Sequence, residues 1–269
     1  GMAPRGTTVS GRGEIKGILE EVKSRVKRGD VHNIHLLTDT EIETLFDARG
    51  HDVNEIVKLA DELRKQLCGD RVSYVVNRNI NYTNMCTYKC SFCAFSKGKS
   101  NEELRGKPYL LTHEEISRRV SEAWDRGATE VCMQGGIHPD FDGNTYLDIL
   151  RTVKATEPNM HVHAFSPLEV WHGAHSLGLS LETYLEFLRA NGLGSLPGTA
   201  AGTQVNIDLQ LRVLKILMTS FEILAEVLLD CVRSILCPDK LTTDEWLEVI
   251  DTAHNVGLKT TSTIMFGHV

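Results

Sequence analysis

Cys86, Cys90 and Cys93, spaced C-x3-C-x2-C in the run Asn84-Met-Cys86-Thr-Tyr-Lys-Cys90-Ser-Phe-Cys93, constrain this chain more than any other feature. Three thiolates on one short loop can wrap a single soft metal centre. A cubane of four irons held by three thiolates keeps one iron open to a further ligand. Two other readings stand beside it. Structural zinc takes four ligands; the loop offers no fourth, so the fold would have to bring in Cys68 or Cys132. A C-x-x-C redox pair would use Cys90 and Cys93 and leave Cys86 unexplained.

The seven cysteines are odd in number and three share one loop, which argues against a disulfide framework and for a reducing, cytoplasmic setting. Residues 1–13 carry Arg, Ser, Thr and Gly without an acid. That composition suits a disordered tail, and it also matches an organellar transit segment, so a stroma or matrix stays open. A net charge of −7 gives no electrostatic case for a nucleic-acid partner. No apolar run reaches the ~18 uncharged residues of a membrane span. The most apolar stretch, Val205 to Leu229, is broken by Asp208, Arg212, Lys215, Glu222 and Glu226.

Residues 14–69 read as a helical lead-in. Ile15, Ile18, Leu19, Val22 and Val26 form a helical stripe; Thr38 with Glu41 opens a second helix, which Gly50 closes; Val53, Ile56, Val57, Ala60, Leu63 and Leu67 mark a third, ended by Gly69. Residues 70–269 then alternate. Strands are expected at Val72–Val76, Glu130–Met133, His161–Phe165, Leu193–Leu196 and Lys259–Phe266. Helices are expected after Thr112, around Tyr146 to Val153, around Leu181 to Leu188, and after Thr242. Strands alternating with helices predict an α/β fold with a parallel sheet, in which chemistry sits in the loops after the strands.

Those loops hold the candidate residues. Gly135-Gly136, following Gln134, let the backbone approach a ligand or make a plain βα turn. His161 and His163 alternate along a strand and so share a side; they reach a substrate if that side is the lumen and are core histidines otherwise. Ser166 and Glu169 could bind ribose or an amino acid, or Glu169 could cap the next segment. Phe92 could face a ligand or pack as a core aromatic. His138-Pro139-Asp140 is either substrate-facing or a turn.

The cysteine spacing with Phe92 before its third Cys resembles the radical S-adenosylmethionine enzymes. The resemblance implies a TIM-type (β/α) barrel and a 4Fe–4S cluster on Cys86, Cys90 and Cys93 whose open iron chelates S-adenosylmethionine. Phe92, Gln134, Gly135, Gly136, Ser166 and Glu169 would help hold that cofactor. Longer runs narrow the family: Asn77-Arg-Asn-Ile-Asn-Tyr-Thr-Asn84, Val131-Cys-Met-Gln-Gly-Gly-Ile-His-Pro-Asp-Phe141, His163-Ala-Phe-Ser-Pro-Leu-Glu-Val170, Gly194-Ser-Leu-Pro-Gly-Thr-Ala-Ala201, Leu236-Cys-Pro-Asp-Lys240 and Thr260-Thr-Ser-Thr-Ile-Met-Phe-Gly-His268. Together they resemble the FO synthase family in its tyrosine-dependent half, the 5-amino-6-(D-ribitylamino)uracil–L-tyrosine 4-hydroxyphenyl transferases of deazaflavin biosynthesis. That implies L-tyrosine and the ribityl-diaminouracil as substrates, with an electron donor and the first FO synthase subunit, or a fused half, as partners. Futalosine-pathway enzymes of menaquinone biosynthesis are the second family reading. A zinc-stabilised, non-catalytic module is the reading from another class.

Two departures accompany the resemblance. Residues 202–224 interrupt a family-like run as an insert with an apolar stripe at Ile207, Leu211, Leu214, Met218 and Phe221. The chain also reaches Val269 after about five βα units, whereas an eight-fold barrel takes about 250 residues without a lead-in. The expectation is a barrel truncated after about five strands.

Overall fold

The computed structural model describes residues 12–28, 37–88, 90, 93, 107–197 and 240–261. The chain divides into a smaller unit that includes residues up to Ser73 and a larger one that begins at Tyr74.

The smaller unit contains α1 (Arg12–Lys27), α2 (Asp39–Phe46) and α3 (His51–Cys68). Ile15, Ile18, Leu19 and Val22 form the buried stripe of α1 and pack with Ala48 and Leu59. Thr38 and Glu41 close a reciprocal capping box at the start of α2. Two expectations are corrected here. Gly50 opens α3 rather than closing α2, which already ends at Phe46. The buried side of α3 is Ile56, Leu59 and Leu63, while Val53, Val57 and Leu67 are exposed.

The larger unit is a five-stranded parallel sheet in sequential order: β1 (Asn77–Asn81), β2 (Glu130–Gln134), β3 (His161–Ala164), β4 (Ser195–Leu196) and β5 (Lys259–Thr260). Among the described residues the intervening helices are α4 (His113–Asp125), α5 (Gly143–Thr156), α6 (Pro167–Ser176), α7 (Leu181–Ala190) and α8 (Thr243–Asn255). This succession is that of a TIM-type barrel built to its fifth strand. The first strand is corrected: residues 71–76 are irregular and Val72, Tyr74 and Val75 are exposed, whereas pairing starts at Asn77 opposite Glu130. The apolar run had suggested a strand, but the paired segment carries only Ile80 into the core. Helix α6 is not among the expected helices; Ser166 caps it and Pro167 opens it. Of the fifth strand, 262–266 lies outside the described residues, as does the 202–224 insert.

The two faces of the sheet differ in kind. Ile80, Val131, Met133, Val162, Ala164 and Leu196 point to one face and are fully buried against the helices. Arg78 is the polar member of that face, and its guanidinium donates to the Arg119 carbonyl and to Glu122, both at 2.9 Å, tying β1 to α4. The other face carries Asn77, Asn79 and Asn81 of β1, Glu130, Cys132 and Gln134 of β2, His161 and His163 of β3, and Ser195 of β4. All of these are exposed or half-buried. In register, Asn79, Cys132, His163, Ser195 and Lys259 form one row across it. A parallel sheet normally buries both faces as β-branched runs; here one face is polar throughout. Among the described residues, no helix is long and apolar enough to cross a membrane.

Candidate active site

A cavity of about 290 Å³ opens at the C-terminal ends of β1, β2 and β3. Cys86, Cys90 and Cys93 line one part of it, Gln134, Gly135 and Gly136 another, and Ser166 and Glu169 a third. The structure thus brings Cys86, Cys90, Cys93, Gln134, Gly135, Gly136, Ser166 and Glu169 to one cavity, whereas His138, His161 and His163 are not among its lining residues. Phe92 lies outside the described residues.

Hydrogen bonds fasten the start of the cysteine loop to the end of β2. The Gly136 amide donates to the Thr83 carbonyl at 3.1 Å and the Thr87 amide to the Ile137 carbonyl at 2.8 Å. The Ile137 amide donates to Cys86 Sγ at 3.3 Å. The glycines make this approach possible. A Cβ on Gly136 would stand 2.2 Å from the Met85 carbonyl oxygen, and one on Gly135 would stand 2.3 Å from the Tyr82 ring. The space above these glycines is therefore filled by Tyr82 and the cysteine loop, which they seat against the strand. Thr83 and Asn84, both buried, brace the loop from the other side. Thr83 Oγ1 donates to the Tyr109 carbonyl at 2.8 Å, and the Asn84 carboxamide pairs with the Lys107 carbonyl and the Tyr109 amide at 3.0 and 2.8 Å.

Glu169 is buried to 1% exposure at the centre of this arrangement. It completes a capping box with Ser166 at the start of α6, its Oε2 accepting from the Ser166 amide at 2.7 Å and hydroxyl at 2.6 Å. Its Oε1 accepts from the Gly135 amide at 3.0 Å and from the Tyr82 hydroxyl. One carboxylate thus joins the ends of β1, β2 and β3. Burial raises its pKa, and the bonds from Ser166, Tyr82 and the two amides pull the other way. Burial and the neighbouring Glu169 push the Tyr82 phenol up, so it remains a donor. Phe165, just before Ser166, takes a left-handed backbone (φ 64°), and its ring packs edge-on against Tyr82 and Tyr146.

His138 belongs to a turn. Its Nδ1 accepts from the Asp140 amide at 3.2 Å and its ring lies 5.0 Å from that of Phe141. His161 and His163 both meet Ser195: Nε2 of the first is 2.9 Å and Nδ1 of the second 2.7 Å from its Oγ. Cys132 is half-buried, and burial with Glu130 and Glu169 nearby raises its pKa and keeps it a thiol.

Sequence reasoning missed Asn79, Asn81 and Lys240, all of which line the cavity. The side chains of Asn79, Asn81 and Gln134 have no hydrogen-bond partner among the described residues. The signal was available for the first two: asparagine at alternate positions of a strand between apolar elements is a polar face where a core face is usual.

The residues also suit a thiolate-bound cluster. The three cysteines line one cavity outside any disulfide, and Cys86 already accepts a backbone amide, the kind of hydrogen bond that tunes cluster sulfurs. The Tyr146 hydroxyl is buried with no partner among the described residues, within electrostatic reach of Cys86. No three His, Cys, Asp or Glu side chains among the described residues converge on a single ion.

The family model of the Radical SAM superfamily matches residues 80–269. The FO synthase of Streptomyces avermitilis is 44% identical over 233 residues, 87% of this chain and 24% of that one. The 5-amino-6-(D-ribitylamino)uracil–L-tyrosine 4-hydroxyphenyl transferase of Methanococcoides burtonii is 41% identical over 252 residues, 94% of this chain and 59% of that one. The transferase of the same name from Archaeoglobus fulgidus is 45% identical over 215 residues, 80% and 53% of the two chains. This chain therefore spans about a quarter of the FO synthase and somewhat over half of each transferase. Among solved structures, methylornithine synthase (PylB) superposes with a TM-score of 0.54 at 18% identity, over 90% of this chain and 57% of that one. HydG, a maturase of the [FeFe]-hydrogenase, superposes with 0.53 at 16%, over 93% and 49%. These two share the fold.

Proposed function

The chain belongs to the Radical SAM superfamily, and we propose that it is the tyrosine-dependent part of a deazaflavin-forming enzyme. In this reading it transfers the 4-hydroxybenzyl group of L-tyrosine to 5-amino-6-(D-ribitylamino)uracil. The observation that carries the proposal is one cavity with three cysteine thiols and unpaired carboxamides on its wall. It occurs in a chain 41–45% identical to proteins named for this chemistry.

Cys86, Cys90 and Cys93 would hold a 4Fe–4S cluster, and Phe92, Gln134, Gly135, Gly136 and Ser166 would line the S-adenosylmethionine site. When bound, these groups supply a 5′-deoxyadenosyl radical. Glu169 serves the site as a brace: both its oxygens are engaged, and it fixes the Gly135 and Ser166 amides that face the cavity. Asn79 and Asn81 carry donors and acceptors that match a diaminouracil edge or the hydroxyls of a ribityl chain. An electron donor and a first FO synthase half complete the reaction; the quarter-length match to FO synthase suits a fused half.

Anaerobic reconstitution tests this. About four irons per chain are expected, with 5′-deoxyadenosine released when tyrosine is present and the 4-hydroxybenzyl adduct formed when the uracil is added. Stoichiometric zinc without iron, or turnover only with futalosine-pathway substrates, overturns the proposal.

A further inference from the structure

The polar strand face carries a chain of groups that the cofactor site leaves unused. Ser195 Oγ sits between two imidazole nitrogens, His161 Nε2 at 2.9 Å and His163 Nδ1 at 2.7 Å. Glu130 Oε2 lies 3.7 Å from the same His161 nitrogen. The arrangement is built into the backbone. Gly194 has no side chain where one would collide with the His161 ring, since a Cβ there would stand 2.3 Å from its Cε1. A serine hydroxyl owns a single hydrogen, so it donates to one imidazole and accepts from the other. Because Ser195 meets Nε2 of one ring and Nδ1 of the other, the two neutral histidines share one tautomer, both Nδ1–H or both Nε2–H, and any proton that moves through Ser195 inverts both.

We propose that His163, Ser195, His161 and Glu130 form a proton relay across the strand face, from the reaction chamber to solvent. The relay rests on the transferase reading for its substrate. His163 is half-buried and shares a row with Asn79, which lines the cavity. His161, at the outer end, has a side chain 44% exposed. The step is proton transfer alone. An N–H of the bound aminopyrimidine breaks and its proton passes to His163 Nε2. The Nδ1 proton of His163 moves to Ser195 Oγ, and the hydroxyl proton moves to His161 Nε2. Glu130 supplies the countercharge there, and His161 releases its Nδ1 proton to water. One proton enters and one leaves. The ionisable groups facing His163 are Glu130 and Cys132 on β2, His161 on its own strand and, beyond Ser195, Lys259 on β5. Burial lowers the His163 pKa, which keeps it neutral and able to accept near pH 7.

Two readouts test the relay on the reconstituted full-length chain. Long-range ¹H–¹⁵N NMR of the histidine side chains should show His161 and His163 in the same tautomer, titrating as a coupled pair, and Ser195→Ala should uncouple them. In turnover, Ser195→Ala should lower adduct formation about 100-fold, within the range of general acid–base contributions. It should leave 5′-deoxyadenosine release with tyrosine alone within twofold of wild type. Ser195→Thr, which keeps the hydroxyl, should retain the coupling and most of the turnover, separating loss of the proton path from loss of fold. Opposite tautomers or independent titration of the two histidines in the wild type, or undiminished adduct formation by Ser195→Ala, would refute the relay. If the wild type makes no adduct, the transferase reading fails, and the NMR result still decides whether the relay exists.

Discussion

Replacing Gly136 with alanine tests how the cysteine loop is held. The added Cβ would stand 2.2 Å from the Met85 carbonyl oxygen, 2.7 Å from its carbon and 2.8 Å from Cys86 Cβ. The first two neighbours are backbone, so no side-chain rotation relieves the clash. Ordinary contact begins at 3.4 Å, so the loop must retreat by about 1.2 Å. The bonds from Gly136 to Thr83, Thr87 to Ile137 and Ile137 to Cys86 Sγ, now 3.1, 2.8 and 3.3 Å, would all be stretched. Each is worth about 0.5–1.5 kcal/mol net, and overpacking alone costs about 1–3 kcal/mol. A loss of about 2–4 kcal/mol follows, which for a domain of this size lowers Tm by roughly 10 °C. Thermal melts of the cluster-free protein read the stability, and iron content after reconstitution reads the loop. A Gly136→Ala protein that melts within a degree of wild type and loads its full iron would show that this glycine does not seat the loop.

The same substitution should have the opposite sign at Gly17, inside α1, where a Cβ meets nothing within 4 Å. There Gly→Ala should stabilise the smaller unit by about 0.5–1 kcal/mol through helix propensity, read by urea denaturation. Glu169→Gln should change how stability depends on pH. The native carboxyl is raised above its ordinary 4.5 by burial, so the native state holds this proton more tightly than the unfolded chain. Its contribution to stability is full below pH 4.5 and fades as pH climbs through the native value. Urea melts across that window should show wild type losing stability relative to the Gln variant; parallel curves would contradict the assignment. In the Gln variant the amide group also sets an N–H against the Gly135 or Ser166 amide, a buried mismatch costing about 1–3 kcal/mol.

Periodicity and caps located most helices, because Thr38, Thr112 and Thr242 each cap a helix start with Glu three residues on. The same logic failed at Val72–Val76, where an apolar run looked like a strand and the paired strand proved asparagine-rich. Apolar content alone marks neither burial nor pairing, since Val72, Tyr74 and Val75 are exposed, and a strand with one polar face needs only one apolar side. That Ser166 and Glu169 meet was legible from their three-residue spacing at a helix start. That Glu169 also reaches Gly135 and Tyr82 was not, because those partners come from other strands and only the fold supplies their distances. The meeting of His161, His163 and Ser195 was hidden for the same reason: the sequence shows that the histidines share a side, and the pairing of β3 with β4 puts the hydroxyl between them.

A cavity walled by the carboxamides of Asn79, Asn81 and Gln134 selects by what a ligand lacks. Empty, such a wall can stay hydrated, so each hydrogen bond to a bound molecule replaces one to water and adds only about 0.5–1.5 kcal/mol. Affinity built this way is modest. An analogue missing a hydroxyl or an amine strands Asn79, Asn81 or Gln134 without water or partner, and sites built to hydrogen-bond reject such analogues by roughly 10⁴–10⁵-fold. One extra methylene against an apolar wall is disfavoured by only about 1–3 kcal/mol. Deoxy and deamino analogues, not bulkier ones, are the molecules this strand face is shaped to turn away.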